Sequence, residues 1–238
     1  MSALPVAAGP KPAPKRLPIR DAATVMVIDA SGAEPKVLMG RRHEAVRFMP
    51  GKYVFPGGRV ERADGLISVA TPYAPHVERR LKLGVPRATD SRVRAYGLAA
   101  IRELAEETGL MIGDRGVPFR ARGDAWAPFA DAGIAPSLGG LHFIARAITP
   151  PGRPKRFDTR FFAADSSLIA ARREGVIHAD AELVELCWPT IAEARALDLP
   201  AITRLILADL EARLEDGLER DQPTPFYRRG SQSARELA

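Results

Sequence analysis

Three carboxylates within five residues carry the strongest chemical signal in this chain. They lie in Arg102-Glu103-Leu104-Ala105-Glu106-Glu107-Thr108-Gly109-Leu110, inside a proline-free run that predicts a helix. At about 100° per residue, with Glu103 as origin, Glu106 falls at about 300° and Glu107 at about 40°. The three acids therefore share one arc, and Leu98, Ile101, Leu104 and Ala105 occupy the opposite side. Two such charges about 6 Å apart repel by roughly 3 kcal/mol at an effective dielectric near 20, and by far less in open water. A solvated helix face tolerates this. A hard cation makes use of it: Mg²⁺ takes carboxylate oxygens and shares its shell with substrate phosphates. Arg102, one turn before Glu106, is placed to pair with it and fix its rotamer.

The elements that must position these acids are legible around them. Tyr53 to Phe55 reads as a short strand running into Phe55-Pro56-Gly57-Gly58, a turn whose two glycines allow close approach of a ligand or helix. Strand, Gly-Gly turn and acidic helix together make a platform for a metal–diphosphate. The helix is expected to start at an N-cap on Ser91 and to stop at Gly109. Upstream, Thr24 to Ile28 and Val37 to Met39 form an expected hairpin about Asp29-Ala30-Ser31-Gly32. Downstream strands are expected at Leu141 to Ile148, Thr159 to Ala163 and Glu182 to Trp188. Helices are expected at Ala74 to Leu83, Ile191 to Ala196 and Pro200 to Leu214, the last with Ile202, Leu205, Ile206, Leu210 and Leu214 on its apolar face.

Composition bounds the rest. The 238 residues suit one sizeable domain. A hydrophobic fraction of 46% excludes global disorder. The single cysteine, Cys187, excludes an intrachain disulfide and any cysteine-cluster metal site, and His43, His76, His142 and His178 are too scattered for a ligand set. No apolar run is long enough to cross a membrane and no secretory signal is visible, so a reducing cytoplasmic setting is expected. The net charge of +6 favours anionic partners, but no aromatics interleave a basic run, so nucleic acid is not an expected partner. Residues 1–20 read as a disordered, basic, Pro-rich tail, 21–216 as the domain, and 217–238 as a loose C-terminal tail.

These residues resemble the Nudix hydrolase signature, G-x5-E-x7-R-E-U-x-E-E-x-G-U, with U a bulky aliphatic. Arg102, Glu103, Leu104, Glu106, Glu107, Gly109 and Leu110 complete its second half, and Gly58 opens the first. Asp64 stands where the family has Glu, and 37 residues separate it from Arg102 where the family has x7. The box is thus split by an insertion, read as 65–91, like that of a subgroup similar to the coenzyme A diphosphatases. The resemblance implies an α/β fold, an α/β/α sandwich around a mixed central sheet. It implies Mg²⁺ or Mn²⁺ on Glu103, Glu106 and Glu107, catalysis by Glu106, Glu107 and Arg102, and structural roles for Asp64 and Gly109. A late acid, Asp180, Glu182 or Glu185, is the alternative base. The implied reaction is hydrolysis of a nucleoside diphosphate linked to a moiety X.

For the substrate, a second motif of the coenzyme A group is matched in part by Leu38, Arg41, Arg47, Gly51, Phe55, Pro56, Gly57 and Gly58. Met39 replaces its Thr and Arg42-His43 its Ser-Ala pair. Arg41, Arg42 and Arg47 bring positive charge close to the turn, where Arg binds phosphate bidentately, and Arg41, Arg47, Phe55, Gly57 and Gly58 are the expected substrate contacts. Coenzyme A or acyl-CoA leads; ADP-ribose or NADH remains open, as does a non-catalytic nucleotide-binding module. Arg156-Phe157-Asp158-Thr159-Arg160-Phe161-Phe162 is a second place suited to adenine and phosphate, or else an edge strand burying Phe161 or Phe162. The insertion is expected to form a lid or a homodimer contact.

Overall fold

A strand of 11 residues, β1 (Ile19–Asp29), organises the sheet. Its Ala23, Val25 and Val27 enter one apolar core and its Met26 and Ile28 another, so it is covered on both faces. The computed structural model describes residues 18–46 and 49–228, and the backbone of 235–237. After β1 come β2 (Lys36–Val37), β3 (Met39–Arg42), β4 (Tyr53–Val54), β5 (Gly57–Arg59), α1 (Pro75–Lys82) and α2 (Asp90–Thr108). Next are β6 (Leu110–Arg115), α3 (Ala127–Asp131), β7 (Ile134–Pro136), β8 (His142–Ile148), β9 (Arg156–Asp165), β10 (Ile169–Arg172) and β11 (Leu183–Cys187). The chain closes with α4 (Ile191–Ala196), α5 (Ala201–Asp216), β12 (Thr224–Tyr227) and β13 (Arg235–Leu237).

Among the described residues, seven strands form one mixed sheet in the order β13-β12-β8-β9-β1-β2, with β5 also on β1. The β1–β9 and β12–β8 pairs are parallel, and β8–β9, β1–β2 and β1–β5 are antiparallel. Two three-stranded sheets, β10-β6-β7 and β11-β3-β4, flank it. One face of the main sheet packs on α2 and α1 through Leu98, Ile101, Leu104, Val77 and Leu81. The other packs on α4 and α5 through Ile191, Ile206, Leu207 and Leu210. Helices on both faces of a mixed sheet are the α/β/α arrangement expected.

Helix α2 begins earlier than expected. Thr89, not Ser91, is the N-cap, its hydroxyl accepting from the Arg92 amide at 3.2 Å. Ser91 instead donates its hydroxyl to the Gly65 carbonyl at 2.9 Å, tying the stretch 65–91 to the helix. That stretch is no loose appendage: Ile67, Tyr73, Val77 and Leu81 enter the main core. On α5 the buried stripe is Thr203, Ile206, Leu207, Leu210 and Arg213, rotated from the expected face, with Ile202, Leu205 and Leu214 only partly covered.

The two ends also differ from expectation. Strand β1 starts at Ile19, inside the range assigned to the N-terminal tail; residues 1–17 lie outside the described residues. The segment expected as a loose C-terminal tail supplies β12 and β13. Non-local contacts hold β12: Thr224 and Tyr227 are buried, and the Arg146 guanidinium sits 4.7 Å from the Phe226 ring centroid. No local pattern announces such partners, and Pro223 and Pro225 argue against a strand on propensity alone.

Candidate active site

The site is built where the turn after β4 crosses the last two turns of α2. Gly57 takes φ 155 and lies against Thr24 of β1, where β5 pairs with β1 through Thr24↔Gly57. Its amide donates to the Glu107 carboxylate at 2.9 Å. A Cβ on Gly58 would run into the Glu103 carboxylate, so glycine is what lets the strand lie against the acids. Gly109 ends the helix in the left-handed region at φ 79, its amide donating to Ala105 O. A side chain there would also meet the Arg173 carbonyl.

Arg102 is the hub. It is 4% exposed. Its Nε and Nη2 donate to the two Asp64 carboxylate oxygens at 2.9 and 3.2 Å. Nη1 donates to Glu103 at 2.8 Å and Glu106 at 2.9 Å, and Nη2 also to the Arg59 carbonyl at 2.9 Å. A guanidinium has five N–H groups, and these contacts use all of them. Every N–H of Arg102, expected as a catalytic residue, is thus engaged in holding Asp64, Glu103, Glu106 and the Arg59 carbonyl. Burial opposes its charge, but Asp64, Glu103 and Glu106 outweigh that and hold its pKa above the usual arginine range. Asp64, fully buried, also accepts from the Glu61 amide at 2.8 Å. The fold thus brings Asp64 and Arg102 together across 37 intervening residues.

The three acids have unequal surroundings. Glu106 is exposed and Glu103 is half-buried. Glu107 is 8% exposed, and among the described residues no cation pairs with it. Burial pushes its pKa well above the usual carboxylate range; the Gly57 amide opposes this, and the Glu182 and Glu103 charges add to it. Burial also raises Glu103, with Arg102 opposing. Among the described residues, no three His, Cys, Asp or Glu side chains are already drawn into a ligand set. The reason is visible: Arg102 holds Glu103 and Glu106. The donor set nonetheless suits a hard cation, because it offers carboxylate oxygens at one helix end, one of them buried and, among the described residues, without a salt-bridge partner.

The rim is made by β3 and β11, paired through Leu183↔Arg42 and Glu185↔Arg41. Arg42 pairs with Glu182 at 2.8 Å and Arg41 with Glu185 at 2.9 Å. Sequence reasoning named Glu182 only among three late acids and Arg42 only among the arginines that bring positive charge close to the turn. The structure brings both close enough for their charges to bear on Glu107. The β3–β11 register is the signal that one sequence does not show. Phe55, expected to touch substrate, is 5% exposed and packs in the core with Met26 and Met39. Arg47 lies outside the described residues. Among the described residues, no helix is long and apolar enough to cross a membrane.

No protein-family model matches the chain. Solved structures do. The crystal structure of a Nudix hydrolase from Alicyclobacillus acidocaldarius is 32% identical, over 82% of this chain and 92% of that one, at TM-score 0.60. A MutT protein from Methanosarcina mazei Go1 is 14% identical over 85% and 99% of the two chains, at TM-score 0.48. A Nudix domain of Shewanella oneidensis NrtR, complexed with ADP ribose, is 11% identical over 83% and 90%, at TM-score 0.45. One third identity sustained over nine-tenths of a Nudix hydrolase, on a mixed sheet clasped by helices, shows that this chain belongs to the Nudix hydrolase family.

Proposed function

We propose that the chain hydrolyses the diphosphate of a nucleoside diphosphate linked to a moiety X, with coenzyme A or an acyl-CoA as the substrate class. The observation that carries the reading is Glu107: a buried carboxylate held by the Gly57 amide, with no salt-bridge partner among the described residues, beside Glu103 and Glu106. These three acids would hold Mg²⁺ or Mn²⁺, which when bound polarises phosphoryl oxygens and lowers the pKa of a water. The rest falls to the chain. Arg102 fixes Glu103 and Glu106 from below. The Gly57 amide fixes Glu107. Glu182, whose charge bears on Glu103 and Glu107, is the acid placed to accept a proton from attacking water. Arg41 and Arg42 line the rim on β3, and half-buried Arg41 can exchange Glu185 for a substrate phosphate.

The support for coenzyme A is the partial motif from Leu38 to Gly58, whose Arg41 reaches this rim. The test is a panel of coenzyme A, ADP-ribose and NADH with Mg²⁺, the products separated by chromatography. Coenzyme A should turn over fastest and Glu106→Gln should abolish it. Faster turnover of ADP-ribose or NADH would reassign the substrate. No turnover of any compound by the wild type would reject hydrolysis in favour of a nucleotide-binding role.

A further inference from the structure

The stretch 156–162, expected to suit adenine and phosphate, is spent on the fold. It lies in β9, a central strand, with Phe161 and Phe162 in the two cores and Asp158 and Arg160 paired with Arg146 and Asp21. Arg42 of β3 is a different case, because it grips an acid of the site itself. That acid, Glu182, needs holding. It stands just before β11 with its side chain 53% exposed, and a free glutamate there would sample many rotamers. Two contacts restrain it. The His43 amide donates to the Glu182 carbonyl at 2.9 Å, and Arg42 Nη2 meets the Glu182 carboxylate at 2.8 Å.

Arg42 is a firm anchor. Its side chain is only 13% exposed, and β3 is paired on both sides, with Leu183 of β11 opposite Arg42 and the Arg42 amide donating to Lys52 O at 3.0 Å. Its Nε is buried without a hydrogen-bond partner among the described residues, so its placement serves the Glu182 contact at the expense of another donor. The register of β11 against β3 shifts between Leu183 and Glu185, an irregularity of the kind that re-aims side chains beside active sites. Strand β11 also packs against α2. Burial is the main cause of the raised pKa values of Glu103 and Glu107; the Glu182 charge adds to both, and Arg42 opposes it at Glu107. Arg102 thus fixes Glu103 and Glu106, and Arg42 fixes the acid that reaches them from the start of β11.

We infer that Arg42 is a positioning residue for the reaction: without touching the reacting atoms, it holds the Glu182 carboxylate where that group takes a proton from the attacking water. The water oxygen bonds phosphorus, its proton passes to Glu182, and the bridging P–O bond breaks, its electron pair leaving with the departing phosphate. The inference rests on the hydrolase reading and on Glu182 as its proton acceptor.

Kinetics and crystallography of the same variants of the full chain test it. Arg42→Ala should lower kcat by about tenfold or more and leave KM within about twofold, and Arg42→Lys should recover part of the loss. Glu182→Gln should lower kcat by about 100-fold or more. Adding Arg42→Ala to Glu182→Gln should then cost less than about twofold further, because the arginine acts through that acid alone. Crystals of Arg42→Ala should show the Glu182 carboxylate displaced, with Glu103, Glu106 and Glu107 in place. If Arg42→Ala fails to fold, Arg42→Met keeps the stem and gives the same readings. A Glu182 carboxylate unmoved in the variant crystals overturns the inference, as do equal losses in the two backgrounds or full kcat in Glu182→Gln. A raised KM at unchanged kcat would put Arg42 on the substrate through its free Nε, and overturns it too. Failure of the hydrolase reading itself is seen separately, in a wild type that turns over no compound, and takes the inference with it.

Discussion

Two sets of arginine–acid pairs flank the same turn, and they behave differently. Beneath it, Arg102 and Asp64 are closed off from water and share two parallel hydrogen bonds. On the rim, Arg41–Glu185 and Arg42–Glu182 join one strand to another with acids that are about half exposed. The closed set has no spare donor. In the open set the acids reach solvent, and in the proposed function Arg41 exchanges Glu185 for a substrate phosphate. The difference teaches that the site uses arginine in two ways, once to hold acids in a fixed geometry and once, in the proposed function, to present charge that a ligand can take over.

Breaking the closed set should cost most. Arg102→Ala strands Asp64 as a buried, unpaired carboxylate, a loss of about 3–5 kcal/mol, read by urea unfolding. A loss under about 1 kcal/mol, the scale of an exposed pair, would erase the distinction. Gly58→Ala sharpens it at the junction. The new Cβ meets the far end of the Glu103 side chain, which can swing aside. The fold should therefore survive while Mn²⁺ affinity falls about 10–100-fold, measured by titration beside a melting curve. Arg41→Ala, in the open set, should change stability by only about 0–1 kcal/mol while raising KM for coenzyme A. An unchanged KM would remove Arg41 from the substrate's path.

Asp209 gives the intermediate case, a half-buried acid with a neutral partner. It accepts from the Tyr227 hydroxyl at 2.9 and 3.0 Å, and burial raises its pKa from 3.8 to about 6. The folded state therefore binds a proton more tightly than the unfolded one. Its contribution to stability is fully present below about pH 3.8 and is lost as pH rises through about 6. Asp209→Asn should flatten the pH dependence of the melting temperature between those values. A wild-type slope retained by the variant would place the titrating group elsewhere.

How much of this was legible depended on how local the cause was. The acids of α2, the stop at Gly109 and the Gly57-Gly58 turn follow from residue spacing and backbone freedom, so they could be read in order along the chain. The helix start slipped because Thr89 and Ser91 are both capping residues, and only the Ser91 bond to Gly65 decides between them. Phe55 was misread because an aromatic beside a glycine turn serves a ligand or a core equally well by type, and its packing on Met26 is a long-range fact. Strands β6, β7, β10 and β12 are short, and their partners lie far along the chain, so no period marks them. Glu182 reaches the site through strand pairing with β3, which one sequence does not display. The role of Arg102 was visible only as a pair with Glu106; its grip on Asp64 crosses 37 residues.

The central claim is that the end of α2 is a cation site. Crystals soaked in manganese, with data collected for anomalous scattering, test it most directly. The account expects anomalous peaks beside Glu103, Glu106 and Glu107, and none at these acids in Glu107→Gln crystals treated alike. Wild-type crystals with no peak at these acids, the Arg102 pairs with Glu103 and Glu106 intact, would contradict it.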